Sequence, residues 1–282
     1  MNNSGISNGV REAGGVLDRI VRARAERLER EKLIAPVEQV IEQSSRAATT
    51  RRANALAEAL SRAGAVNVIA EVKRCSPSKG IIREDFDPIG IARSYRDAGA
   101  AAVSVLCEED FFGGSLDHLK AIRRRVDLPL LRKDFVFDEY QIHESVVAGA
   151  DAVLLIVAIL EDELLARLID LARRLRLDTL VEVHSIPEME RAGRAGARII
   201  GVNNRDLTTL AVDLGTSIEL APLAPPGAVL VSESGLNSPR EIRLLKTAGF
   251  HAFLIGEHFM RAADPGNALR GLVAGSENLA QA

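Results

Sequence analysis

Short apolar runs alternate with longer amphipathic segments along most of the chain. Eight runs have the length of a strand: Val68–Val72, Ala102–Leu106, Leu130–Arg132, Ala152–Val157, Thr179–Val183, Ile199–Val202, Val229–Ser232 and Ala252–Ile255. Segments between them repeat apolar residues at helical spacing, as in Ile89–Ala98, Leu116–Arg125, Tyr140–Ala148, Asp162–Leu175 and Pro239–Ala248. Near-continuous apolar strands separated by helices are typical of a parallel sheet buried on both faces.

An Ala-Gly pair closes four of the helical segments: Ala98-Gly99, Ala148-Gly149, Ala195-Gly196 and Ala248-Gly249. Glycine in this place fits a left-handed helix cap, where a side chain costs energy. The pairs recur at a period of roughly fifty residues, or two strand–helix units, which predicts eight units in all. The fold class we predict is therefore α/β, a closed (β/α)8 barrel of the TIM type. An open, doubly wound sheet is the alternative.

Additional N-terminal helices are predicted before the first strand. Apolar residues lie on one face of the first helix: Leu17, Ile20, Val21 and Leu28. Arg24 interrupts this face, and we expect its stem to lie on the core while its charge reaches water. A second helix is predicted at about Asn54–Ala63. We expect residues 1–15 to form a loose arm and residues 16–282 a single catalytic barrel domain, with a helical extension at about 16–66.

Composition excludes several classes of function. The 282 residues carry a net charge of -3, which gives no general attraction for nucleic acid or acidic lipid. No run is long enough to span a membrane, and mixed charge on the first helix favours a solvated surface over a membrane-bound one. The two cysteines and five scattered histidines match neither a disulfide framework nor a zinc site. We expect a cytoplasmic protein with no metal, no cofactor and no nucleic-acid or membrane partner.

Polar side chains follow most of the predicted strands at their C-terminal ends. They are Glu71 and Lys73 at the first strand, Lys133 at the third, Glu182 at the fifth, Asn203, Asn204 and Arg205 at the sixth, Glu233 and Ser234 at the seventh, and Glu257 at the eighth. The C-terminal end of the strands carries the active site in (β/α)8 barrels. Six strands with such residues predict an enzyme that works with lysines and carboxylates.

Loops after the seventh and eighth strands predict a phosphate site. Ser234-Gly235 and Gly256-Glu257 contain glycines that let backbone N–H groups approach an anion, as is usual at these loops. The stretch Ser76–Gly80 lacks the glycine spacing of a nucleotide-binding P-loop, and we interpret it as a mobile loop over the pocket. His184 is either a catalytic acid or base, or a structural loop residue.

Eight stretches resemble the indole-3-glycerol-phosphate synthase family. They are Ile69–Gly80, Phe111–Leu116, Leu131–Phe135, Tyr140–Ile142, Leu180–His184, Gly201–Leu207, Ser232–Gly235 and Phe253–Met260. The resemblance implies a lyase of tryptophan biosynthesis. It converts 1-(2-carboxyphenylamino)-1-deoxyribulose 5-phosphate to indole-3-glycerol phosphate with release of carbon dioxide and water. It implies neither cofactor nor metal, and it leaves open an association with other enzymes of the pathway.

The resemblance also implies which residues act. The catalytic set is Glu71, Lys73, Lys133, Glu182, Asn203, Glu233 and Ser234. The expected substrate-binding residues are Ser76, Phe112, Phe135, Leu154, Arg205, Leu210, Gly235, Gly256 and Glu257. Lys133 is the expected general acid, with Lys73 as a partner of the substrate carboxylate, and Glu182 is the expected base.

Two rival functions remain at this point. A phosphoribosylanthranilate isomerase is a neighbouring barrel of the same pathway, but it needs an Asp/Cys acid–base pair in place of Lys73, Lys133 and Glu182. A catalytically inactive barrel that serves as a scaffold is the second rival. Sequence drift would be expected to erase at least one of the seven catalytic residues in such a protein.

Overall fold

A computed structural model describes residues 9–206 and 209–277 of the chain. Eight parallel strands form a closed barrel in which β1 pairs with both β2 and β8. The strands are β1 (Asn67–Val72), β2 (Ala102–Leu106), β3 (Leu130–Lys133), β4 (Ala152–Ile156), β5 (Asp178–Val183), β6 (Ile199–Asn203), β7 (Val229–Glu233) and β8 (Ala252–Ile255). The predicted (β/α)8 barrel is therefore confirmed, and the open sheet is excluded.

The α-helices of the described ranges surround this barrel. They are α1 (Gly15–Ile34), α2 (Val37–Ala48), α3 (Ala55–Leu60), α4 (Pro88–Asp97), α5 (Leu116–Arg123), α6 (Glu139–Ala148), α7 (Asp162–Arg174), α8 (Ile186–Arg194), α9 (Gly215–Leu220), α10 (Pro239–Thr247), α11 (Glu257–Arg261) and α12 (Pro265–Glu277). Single 3-10 turns at Val157–Ile159 and Ala221–Leu223 follow β4 and α9. The helix α6 begins with a capping box, in which Asp138 accepts from the first turn.

Glycine caps end the helices that were predicted to carry them. Gly99, Gly149, Gly196 and Gly249 have φ angles of 86°, 88°, 78° and 101°, all in the left-handed region. A residue with a Cβ is disfavoured at such angles. The Ala-Gly pair therefore recurs where the backbone must adopt a left-handed conformation after a helix. Each cap turns the chain back toward the N-terminal end of the next strand.

The N-terminal region contains one more helix than predicted. The missing helix is α2, which packs against α6 and buries only Val40 and Ser44. Ser44 Oγ lies 2.6 Å from Nδ1 of His143 on α6. Its apolar residues nevertheless recur at helical spacing, at Val37, Val40, Ile41, Ala47 and Ala48, so this helix could have been predicted from the sequence and was missed. The second predicted helix corresponds to the shorter α3.

The expectation for Arg24 was wrong, because its charge is buried rather than in water. Its side chain is 4% exposed and pairs with Glu31 at 2.9 Å and with Asp134 at 3.4 Å. Asp134 also pairs with the buried Arg132 at 2.7 Å. A buried cation is tolerated only with such partners. This network joins α1 directly to the residue after Lys133.

The predicted loose arm, residues 1–15, lies partly outside the described residues. Its described part contacts the segment that follows β4. Val10 forms an isolated antiparallel β-bridge with Leu160, and the Arg11 backbone N–H donates to the Ile159 carbonyl at 2.9 Å. The division into an arm and one catalytic domain remains a prediction. Among the described residues, no helix combines the length and apolar character needed to cross a bilayer.

Candidate active site

A cavity of about 570 Å³ opens at the C-terminal end of the barrel strands. All sixteen residues predicted for catalysis or substrate binding line it: Glu71, Lys73, Ser76, Phe112, Lys133, Phe135, Leu154, Glu182, Asn203, Arg205, Leu210, Glu233, Ser234, Gly235, Gly256 and Glu257. They come from different strands and are brought together by barrel closure. The residues predicted from the sequence thus share one cavity, while the role of each residue remains a proposal. Leu207, which ends one of the matching stretches, lies outside the described residues.

The ammonium group of Lys133 lies between two buried carboxylates. Its Nζ atom is 2.6 Å from Glu182 Oε2 and 2.8 Å from Glu233 Oε2. The three side chains are 15%, 3% and 2% exposed. Buried charged groups that also line a cavity are typical of functional sites. Lys133 ends β3, and the two glutamates lie on β5 and β7, across the barrel mouth.

The three groups of this cluster have shifted pKa values, and the two carboxylates are shifted in opposite directions. Burial alone would lower the pKa of Lys133, but the two carboxylates hold it above its usual range. Burial would raise the pKa of Glu182, but Lys133 and His184 hold it below its usual range. Burial raises the pKa of Glu233 to about 7, with Glu182 adding to the shift. Titratable neighbours pushed apart in this way are typical of acid–base sites.

A second lysine is also paired with a carboxylate at the cavity. Lys73 Nζ is 2.6 Å from Glu71 Oε2; Glu71 lies near the end of β1, and Lys73 directly follows the strand. Gly256 makes room for this carboxylate, since a Cβ there would come within 2.3 Å of Glu71 Oε2. Glycine after β8 therefore serves the packing of Glu71 as well as the approach of a ligand.

Asn203 connects the Lys133–Glu182–Glu233 cluster to the loop after β7. Its Nδ2 donates to Glu182 Oε1 at 3.2 Å, while its Oδ1 accepts from Ser234 Oγ at 2.8 Å and from the Arg205 amide at 3.0 Å. Both Ser234 and Gly235 have positive φ angles, 66° and 78°. For serine this left-handed conformation is strained, and strain of this kind is concentrated at functional sites.

One wall of the cavity is apolar. The rings of Phe112 and Phe135 lie 6.2 Å apart in a tilted arrangement. Leu154 and Leu210 complete this wall together with side chains of α1, namely Val16, Leu17 and Ile20. The N-terminal helix therefore covers part of the mouth, as a helix held by buried charges can. A hairpin at the rim pairs Cys75–Ser76 with Gly80–Ile81.

Three supporting residues were missed or left undecided by sequence reasoning. Glu108 is buried and accepts backbone N–H groups of Phe111 at 2.8 Å and Phe112 at 3.0 Å, which fixes the loop that carries Phe112. Gly201 lies against Glu233, because a Cβ there would come within 2.1 Å of Glu233 Oε1. His184 contacts Glu182 from outside the cavity lining. All three fall within or beside the matching stretches, but sequence alone does not show what they touch.

Comparison with known proteins identifies the family. The sequence profile described as indole-3-glycerol phosphate synthase matches residues 17–272. The chain is 48% identical over 262 residues to the indole-3-glycerol phosphate synthase of Carboxydothermus hydrogenoformans, covering 92% of this chain and 99% of that protein. It is 50% identical over 208 residues to a protein of the same name from Campylobacter jejuni subsp. doylei, covering 74% and 81%.

Solved structures show the fold more broadly. The 3-hexulose-6-phosphate synthase of Salmonella typhimurium superimposes with a TM-score of 0.61 at 15% identity, covering 76% of this chain and 99% of that one. Thiamine phosphate pyrophosphorylase from Pyrococcus furiosus gives a TM-score of 0.57 at 15% identity, covering 76% and 96%. At this identity the likeness concerns the barrel alone. The profile and the curated relatives agree with the site geometry, and the chain belongs to the indole-3-glycerol phosphate synthase family, whose members are carboxy-lyases of tryptophan biosynthesis.

Proposed function

We propose that the Lys133–Glu182–Glu233 cluster carries the acid–base chemistry of indole-3-glycerol phosphate synthesis in this chain. The substrate, 1-(2-carboxyphenylamino)-1-deoxyribulose 5-phosphate, must have its carbonyl made electrophilic before the ring can close. Lys133 is held fully protonated at the cavity wall and supplies that proton. The observation that carries this proposal is the ammonium group within 2.8 Å of two buried carboxylates.

Proton transfer from Lys133 would prepare Glu182 for the later step. While Lys133 is charged, its attraction makes Glu182 a weak base, because its pKa is held low. Once Lys133 has given its proton away, that attraction disappears and the carboxylate becomes more basic. Glu182 then accepts the proton that leaves the ring carbon, while Lys73 supplies the proton with which the hydroxyl departs as water. Acid and base therefore act in sequence within one ion pair.

Lys73 is proposed to hold the carboxylate that leaves as carbon dioxide. Its ammonium group lies 2.6 Å from Glu71, and its side chain is 17% exposed and lines the cavity, so it can pair with a second anion. Glu71 fixes the position of this lysine. A substrate carboxylate paired with Lys73 is oriented before ring closure, and the charge pair weakens as the carboxylate departs.

The phosphate is proposed to bind at the loops after β7 and β8. Backbone N–H groups of consecutive left-handed residues, here Ser234 and Gly235, form a concave anion site. Gly256 and Glu257 begin α11 on the opposite side, with Ser76 at the rim. Arg205 adds a positive charge near Glu257, 3.9 Å away, and can also anchor a substrate hydroxyl network through Asn203.

The anthranilate ring is proposed to lie against the apolar wall. Phe112 and Phe135 present aromatic surfaces of the kind that bind a flat ring, and Leu154 and Leu210 close the pocket. The ring carboxylate then points toward Lys73 and the sugar chain toward Lys133. This order places the reacting carbon between the two lysines.

The proposal is tested by following indole fluorescence during turnover of the carboxyphenylamino sugar phosphate. The purified protein should form indole-3-glycerol phosphate, and Glu182→Gln should lower kcat by about 10²–10⁴-fold, the range typical of a general base. Lys120→Met, which removes an exposed lysine paired only with Asp117 among the described contacts, serves as the control. Wild-type turnover in Glu182→Gln would remove Glu182 from this role.

We also propose that the enzyme works in the cytoplasm. Both cysteines are unpaired thiols, which fits a reducing compartment. An association with other enzymes of the pathway stays a prediction, and co-purification from the source cell is its test.

A further inference from the structure

His184 is a partly buried histidine in contact with the proposed base. It follows β5, and its side chain is 12% exposed without lining the cavity. Nε2 lies 3.4 Å from Glu182 Oε1, an ion-pair contact rather than an aligned hydrogen bond. The mechanism proposed above does not use this residue.

Glu188 holds the other side of the same ring. Its Oε2 atom lies 3.2 Å from His184 Nδ1 and accepts the His184 backbone N–H at 2.8 Å. Glu188 belongs to the first turn of α8, whose position is set by packing on the barrel through Met189 and Ala192. The imidazole is therefore fixed between a carboxylate of the site and a carboxylate of the outer helix.

The geometry favours one protonation state of His184. A neutral imidazole has a single N–H, so one of its nitrogens would turn a lone pair toward a carboxylate. With both nitrogens protonated, each faces an oxygen that can accept. Within the described ranges, the charged groups that face the ring are Glu182 on β5 and Glu188 on α8.

We propose that His184, doubly protonated and held by Glu188, is a positioning residue that fixes the Glu182 carboxylate through Oε1 and leaves Oε2 to act on substrate. The inference rests on the proposed role of Glu182 as the base. It names two residues, His184 and Glu188, that act on the reaction through another side chain and never touch the substrate.

The two oxygens of Glu182 support this division of labour. Oε1 accepts from Asn203 Nδ2 at 3.2 Å and faces His184, so it is occupied by groups that stay in place. Oε2 is bound to Lys133 at 2.6 Å, and that partner changes charge when it donates its proton. The oxygen released during the reaction is therefore Oε2. Burial would lower the pKa of His184, but Glu182 and Glu188 raise it to about 9, so the ring stays charged at neutral pH.

The first test measures the protonation of His184 directly by NMR titration of its labelled imidazole. In the wild-type protein the ring should titrate well above 6.5. Glu188→Gln should lower the pKa of the ring, because it removes one of two facing charges and keeps a side-chain oxygen that accepts the His184 backbone N–H. Titration near 6.5 in the wild type, or an unchanged value in Glu188→Gln, would overturn the inference. This readout is independent of turnover.

The second test compares pH profiles of kcat for the wild type and His184→Gln. We expect kcat to fall about tenfold, less than the loss of a whole general base, with KM within about twofold. The acidic limb should move to higher pH, since Glu182 loses a stabilising cation. His143→Gln is the control, because it removes a buried histidine that, like its partner Ser44, does not line the cavity.

The outcomes separate this inference from the proposed function. If His184→Gln loses activity only in proportion to its loss of folded protein and keeps the wild-type pH profile, His184 is merely structural and the inference fails. If Glu182→Gln turns over normally, the proposed base is wrong, whatever the titration of His184 shows. A shifted profile in His184→Gln together with a shifted ring pKa in Glu188→Gln supports the positioning role.

Discussion

Replacing Gly201 by alanine tests how tightly the acid–base cluster is packed. Gly201 lies on β6, and an added Cβ would stand 2.1 Å from Glu233 Oε1 and 3.3 Å from Leu180 Cδ1. Ordinary contact begins at 3.4 Å, so the carboxylate must retreat by about 1.3 Å. Glu233 cannot retreat freely, because its other oxygen holds Lys133 at 2.8 Å and the side chain is only 2% exposed.

The expected cost has two parts. Overpacking a well-filled interior by one methyl group costs about 1–3 kcal/mol of the free energy of unfolding. A displacement of about 1 Å in a catalytic constellation can cost roughly 10²-fold in turnover. We therefore expect Gly201→Ala to fold, to unfold at lower urea concentration, and to lose about 10²-fold in kcat.

Urea denaturation and indole fluorescence measure these two effects on the same preparation. Gly271→Ala on α12 is the control, because a Cβ there meets no atom within 4 Å. It should keep wild-type turnover and gain about 0.5–1 kcal/mol in stability, as alanine does in a helix. Wild-type kcat and stability in Gly201→Ala would refute the packing argument.

Three further predictions concern other parts of the site. Arg24→Met should lower the free energy of unfolding in urea by about 3 kcal/mol, because Asp134 loses a buried partner; a loss below about 1 kcal/mol would contradict the network. Ser234→Ala should raise KM only a few-fold in the fluorescence assay, because it loses the hydroxyl that orients Asn203 and keeps the backbone N–H groups that carry the phosphate; an unchanged KM would show that this hydroxyl takes no part in substrate binding. The folded-state pKa of His184 is raised to about 9, so its stabilisation is complete below pH 6.5 and is lost as pH rises through 9. Urea unfolding across this range should show that loss in the wild type and not in His184→Gln; identical pH dependence would contradict it.

Much of the fold follows from the sequence because barrel strands are buried on both faces. A run such as Ala252–Ile255 is apolar throughout, and its predicted bounds match β8. The glycine caps, for example Gly99, could also be predicted, because a positive φ angle restricts the residue type. The helix α2 was missed although its apolar residues recur at helical spacing, whereas its packing against α6 follows only from the structure.

In the candidate site, the positions of the polar residues could be predicted from the sequence, but their contacts could not. Polar residues such as Lys133 stand out against an apolar strand, so their convergence at the barrel mouth was predictable from alternation and topology. The partners of a side chain were not predictable. Arg24 was expected to reach water and instead pairs with Asp134, more than a hundred residues away in sequence. Likewise, nothing in the sequence indicates that His184 lies between two carboxylates.

The most direct test of the account is single-turnover indole formation by Lys133→Met, which keeps the length of the side chain and removes its proton. The account predicts a folded protein that binds substrate and forms indole-3-glycerol phosphate at least about 10²-fold more slowly than the wild type. Ring closure at the wild-type rate would contradict it, because the proton for the substrate carbonyl would then come from another group.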